Sequence, residues 1–350
     1  MSVVDGGLPE LKASEALKTS EKQEHGRASW TPNTVSPDCD AGQNPNRWTA
    51  CSLKGWIVRQ TIISNGVAVV VGTIDFDVRS SVEFAEGDGT DWLLDSEVKV
   101  KSTWGSLKAG AAASMWTGCL NHNDKCTTSA LEGTNKEQDL VALIEFGYID
   151  KTYTQYAATM MNNQMLFLSG NLGSAIEVRP LDGNPVTIAD HSSNTLYGRC
   201  DNLSNRYGAG CINDRAHSVV TYDARSNPVV GPVALHVFDA MTRLPSHWGN
   251  PRRGQPLNRV TLQATIDKNR NEACGDMVTG PGQSCDEFPF ASSYQGGFNS
   301  PAEDRSRKEV PTLANNSQGG LTNAAYDLYR VIDGNPFYVQ VVLADGTTAW

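Results

Sequence analysis

From residue 48 the apolar positions fall at every second residue. In WIVRQTII and GVAVVVGTIDFDVRSSVEF, Ile74, Phe76 and Val78 alternate with Thr73, Asp75, Asp77 and Arg79, the period of a strand with one buried face. EVKVKSTW, LVALIEFGYI, QMLFLSG, SAIEVRP, SVVTYD and PVVGPVALHVF continue in the same style, separated by Gly, Asn, Asp and Pro turns. The pattern predicts a mostly antiparallel, sandwich-like β domain over 31–238.

After Met241 the texture changes. TRLPSHWGNPRRGQPLNRVTLQATIDKNRNEACGD is rich in Pro, Gly and Arg, with a short helix predicted at IDKNRNEACG. QSCDEFPFASSYQGG follows, and then PAEDRSRKEV, which reads as a loop. In SQGGLTNAAYDLYRVIDG, residues Leu321, Ala324, Ala325, Leu328, Tyr329 and Val331 fall near helical spacing, and PFYVQVVL closes the chain as a strand. The expectation is a separate α+β domain at 239–350. Residues 1–30 are polar and rich in Glu, Lys and Ser, which predicts a flexible leader. No repeat of 20 to 50 residues and no Gly-rich phosphate loop is visible.

The cysteines narrow the setting. Eight of them sit in four close couples, Cys39 with Cys51, Cys119 with Cys126, Cys200 with Cys211 and Cys274 with Cys285. With no CxxC present, this points away from zinc and toward disulfides made in an oxidising compartment. Neighbour-with-neighbour bridges would close loops of roughly 7 to 13 residues, each contributing about 2 to 3 kcal/mol. The N-terminus lacks the apolar core of a signal peptide, and no run of about 18 apolar residues occurs. The expectation is therefore an exported, extracellular protein with no membrane span, whose signal segment is not part of this sequence.

Net charge is −10, which opposes a polyanionic partner. Between Met241 and Lys308, however, nine Lys and Arg face seven Asp and Glu, so that region is not repulsive to phosphate. There is no GxSxG or HExxH, and six histidines fall at no useful spacing, which leaves serine-hydrolase and zinc-hydrolase chemistry unsupported. His247, beside Trp248, reads as a loop-ordering residue. Trp92, Trp104 and Trp116 read as core or edge cover before a ligand platform.

Asp286 and Glu287 stand out because an aromatic wedge, Phe288-Pro289-Phe290, follows them. Adjacent carboxylates in an extended chain point to opposite sides. Phosphodiester hydrolysis needs a base for water, a hard cation and a positive group for developing charge. Two acids with a nearby Arg supply that set; a solvated acidic turn is the alternative.

The segment CDEFPFASSYQGG, 285–297, resembles the signature of the NucA/NucB deoxyribonucleases, an Asp-Glu-aromatic-Pro core ending in Gly-Gly. Upstream, DKNRNEACG resembles the family's basic helix at Asp267, Lys268, Arg270 and Gly275. Downstream, NNSQGG at 315–320 resembles its Asp-Asn-x-x-x-Gly segment, and RVIDGNPFYVQV its last strand. The three ordered blocks cover the C-terminal third, about residues 240–350. The resemblance implies a small ββα-metal-type domain and a secreted, metal-dependent endonuclease that hydrolyses DNA without sequence preference. It also implies a divalent cation, Mg²⁺ or Mn²⁺, as cofactor.

Carried over by position, Asp286 becomes the general base and Glu287 the adjacent catalytic or metal-binding acid. Asn316 becomes a metal ligand, Arg270 a phosphate contact, and Lys268, Arg252 and Arg253 further DNA contacts. Gln295 and Asn315, further metal-site positions, stand where the family carries acids. A Cys274–Cys285 bridge would fix the basic helix against the acidic pair. Two alternatives carry other roles: a degenerate nuclease fold used for binding or adhesion, and a nuclease toxin with the β domain as delivery or inhibitory module. The toxin reading brings an inhibitor or immunity protein as partner.

Overall fold

The structure, a computed structural model, describes residues 46–349 apart from 86–88, 108–110, 120–126, 132–137, 140–148, 158–164, 168–171, 181–185, 191–197 and 204–206. The predicted leader and the LVALIEFGY stretch lie outside the described residues. What is described is mixed α+β, with mostly antiparallel sheets and few helices, in two compact units divided between His217 and Ser218.

In the first unit the two-residue period becomes a five-stranded antiparallel sheet. Its order is Thr49–Ser64, Val67–Phe84, Asp91–Gly105, Ile149–Ala157, Thr127–Leu131. Ile74 and Phe76 are buried while Asp75 and Asp77, on the other face, both meet Lys101 at 3.1 and 3.0 Å. Asn65-Gly66 joins the first two strands with φ of 49° and 77°, the left-handed pair that a two-residue hairpin turn requires. Four further strands form a second antiparallel sheet, and Gly210–Ile212, Arg199–Asp201 and Met165–Phe167 form a third. In the third sheet Cys200 and Cys211 are cross-strand partners and disulfide-bonded. Cys51 is disulfide-bonded, but its expected partner Cys39 lies outside the described residues, as do the Cys119 side chain and Cys126. Trp92 is core and Trp104 is exposed.

The second unit contains β1 (Ser218–Asp223), α1 (Gly231–Arg243), β2 (Leu257–Asn258), α2 (Gln263–Cys274), β3 (Gln283–Phe288), β4 (Ser306–Pro311), α3 (Thr312–Leu328) and β5 (Pro336–Val342). β5 lies between β1, to which it runs parallel, and β2, to which it is antiparallel. β3 and β4 form an antiparallel pair that leads directly into α3.

Three expectations change here. PVVGPVALHVF is a short 3-10 turn and then α1, not a strand: Val233, Ala234, Val237, Ala240 and Met241 are buried at helical spacing, and Pro232 stands in the first turn. A boundary at 238/239 would cut that helix, and β1 belongs to the sheet of β5, so the division falls at 217/218. PAEDRSRKEV contains β4 rather than being a loop throughout. The core of this unit joins Val220 and Tyr222 of β1, Val237 and Met241 of α1, and Phe337 and Val339 of β5 to the aromatic wedge. Phe290 meets Phe288 and Tyr222 edge-on and stacks on Phe337. The wedge is packing.

Candidate active site

β3 presents its two acids to different surroundings because successive strand residues face opposite ways. Asp286 turns inward with Phe288 and is 1% exposed. One carboxylate oxygen, Oδ2, lies 2.7 Å from Nδ1 of His236, which is itself 3% exposed on the buried face of α1. The ring's Nε2 is 2.9 Å from Oγ of Ser306 on β4. His236 thus bolts α1 to both strands of the pair, and Asp286 holds it from the inside.

Glu287 turns the other way, into a cleft of about 660 Å³. Arg270 and Cys274 of α2 line it on one side, Asn315, Asn316, Gln318, Gly319, Gly320 and Asn323 of α3 on another, and Ala291 and Ser292 close it. Burial, and then the negative charge of Asp286, push the Glu287 carboxyl up to about 7, against the opposing pull of Arg270. A carboxyl titrating there can exchange protons near neutrality. The Cys274–Cys285 disulfide forms as expected, with the Cys274 sulfur 3.7 Å from Oε2 of Glu287.

Of the residues singled out in the sequence, Arg270, Glu287, Asn315 and Asn316 come together in this cleft. Asp286 does not line it, so the residue expected to be the base has its carboxylate turned to the core. Gln295 is also elsewhere: its Oε1 accepts from the Asn258 N–H at 2.9 Å and its Nε2 donates to Oδ1 of Asn258 at 2.8 Å. A carboxylate could not make the second bond, which accounts for an amide at this position. Asn315 uses its amide in the same way, donating from Nδ2 to Ser284 Oγ and to the Cys285 carbonyl. Lys268 is exposed and sits over the Phe298 ring; Arg252 and Arg253 are exposed on a 3-10 turn apart from the cleft lining. His247 orders its loop through a bond to the Met241 carbonyl.

The closing Gly296-Gly297 of the aromatic segment packs on α2. A Cβ on Gly296 would meet Asn269 at 2.3 Å, and one on Gly297 would meet the Asn269 backbone at 2.7 Å. Asn269 is fully buried and donates to the carbonyls of Ala291 and Ser293, which holds the cleft-closing segment to the helix that carries Arg270.

Among the described residues no three or more His, Cys, Asp or Glu gather as a metal cluster. The cleft instead offers one carboxylate and several amide oxygens. Asn315 engages its NH₂ and so leaves Oδ1 as an acceptor, and an all-oxygen set of this kind fits a hard cation. His236 went unread in the sequence; its signal was a lone polar residue on the apolar face of α1.

No curated protein and no solved structure matches this chain. Residues 251–340 match the family model described as Deoxyribonuclease NucA/NucB, so the C-terminal region that builds this cleft carries a domain of that family.

Proposed function

We propose that the C-terminal unit is a divalent-cation-dependent endonuclease acting on DNA, with Glu287 rather than Asp286 as the group that takes the proton from the attacking water. The observation that carries this is a carboxyl held at about 7 inside a cleft it shares with Arg270, in a region matching a deoxyribonuclease family. The water oxygen bonds to phosphorus, its proton passes to Glu287, and the bond to the departing sugar oxygen breaks. That oxygen leaves protonated by solvent.

Arg270 faces the charge that gathers on the phosphoryl oxygens. Asp286 acts from behind as a positioning residue, fixing β3 against His236 and raising the proton affinity of Glu287. Mg²⁺ or Mn²⁺ in the cleft would be held by the amide oxygens of Asn315 and Asn316, leaving Glu287 free as the base, and would polarise the phosphoryl group when bound. The order β3, β4, α3, with an acid on the first strand and asparagines opening the helix, supports a ββα-metal type of site. The five- and four-stranded antiparallel sheets support a sandwich-like first unit, and the disulfides support export.

The test is cutting of plasmid and linear DNA with Mg²⁺ or Mn²⁺. Removing the cation with EDTA should stop it, and Glu287→Gln should slow it by about 10²- to 10⁴-fold. DNA left intact with every cation tried overturns the enzyme; undiminished cutting by Glu287→Gln overturns the base.

A further inference from the structure

Helix α3 carries Gly319 and Gly320 in its middle, where glycine is the least favourable residue after proline. The fold gives neither of them a reason. Neither has a positive φ, and a Cβ built on either meets nothing within 4 Å. Gly296 and Gly297 differ, because the protein itself fills the space beside them. What Gly319 and Gly320 share is the cleft: both line it, with Glu287 and Arg270.

The preceding residue supplies an independent observation. Gln318 lines the same cleft, is only 5% exposed, and its Nε2 has no hydrogen-bond partner. A buried amide donor left unpaired destabilises a fold. Three consecutive residues therefore each cost stability at one place on the cleft wall. Asn316 and Asn323, two turns apart, flank them on the same helix face.

A wall cleared of side-chain bulk, with an unsatisfied donor beside it, suits a bulky ligand that comes close to the helix and carries hydrogen-bond acceptors. A sugar-phosphate strand is such a ligand. We propose that the strand being cut crosses α3 over Gly319 and Gly320, between Asn316 and Asn323, and that the Gln318 amide rotates to donate to it. This rests on the nuclease reading and names the path of its substrate.

The test measures thermal melting together with the Kd for a fluorescent DNA duplex, in the Glu287→Gln background so that little DNA is cut during the measurement. Gly319→Ala, Gly320→Ala and Gln318→Leu should each raise the melting temperature while weakening DNA binding about tenfold or more. Unchanged binding overturns the path, and so does a fall in melting temperature alongside weaker binding, since that is the mark of a structural role. If the unsubstituted protein neither binds nor cuts DNA, the nuclease reading itself has failed. If it does both and the glycine variants match it, only the path has failed.

Discussion

Glu287 and Asp286 differ by one methylene in composition and by the whole width of a strand in surroundings. β3 gives Asp286 to His236 and Glu287 to the cleft, and the raised carboxyl of Glu287 has consequences of opposite sign for rate and stability. As a base Glu287 works only when ionised, so kcat/KM should rise with pH to a plateau, with a midpoint near 7. Stability runs the other way. Between the ordinary value of 4.5 and about 7 the native state holds a proton that the unfolded chain has released, so raising pH through this window weakens the fold. Glu287→Gln should flatten that part of a urea-midpoint profile against pH, and a profile unchanged by the substitution would mean the group is not perturbed. That the two acids part company was legible from strand alternation alone. Which of them faces the cleft was not, because His236, fifty positions upstream on another element, makes the choice.

At the scale of elements, the site depends on how α2 is held against β3. Asn269 ties α2 to the segment around Ala291 and Ser293, Gly296 and Gly297 let that segment lie against it, and Cys274–Cys285 joins the two elements covalently. The bridge spans 11 positions, and a loop of that size is worth about 3 kcal/mol in the chain-entropy account. Replacing both cysteines by alanine should lower stability by roughly that amount. It also uncovers Glu287, whose pH midpoint should fall toward the ordinary carboxylate range. Chemical denaturation and the pH–rate profile of the double variant check the two parts separately. The α2 helix, the bridge and the last strand could be read from the sequence. α1 could not, because a short unbroken apolar run satisfies strand and helix equally until its packing partners are known.

At the scale of the molecule, the family match and the folding unit have different limits. The match begins at residue 251, whereas β1 and α1, which lie before it, supply His236 and much of the core under the aromatic wedge. Eight of the fifteen buried residues of that core lie outside 251–340. A fragment of 251–340 should therefore show no cooperative melting by circular dichroism, and 218–350 should show one; a cooperative transition in the shorter fragment would mean the core closes without its first strand and helix. The sequence put the boundary 21 residues late for the same physical reason: β1 looks like one more strand of the preceding run, and only its parallel pairing with β5 assigns it.

That pairing also sets an order of events. β5, the middle strand of its sheet, is the last of the unit's elements along the chain. While a ribosome is still making it, β1 and β2 have nothing between them, and the wedge behind Asp286 and Glu287 has no Phe337 to lie on. A nascent chain can carry every residue of the cleft and still have no cleft. The cleft therefore closes only when synthesis of the unit is finished.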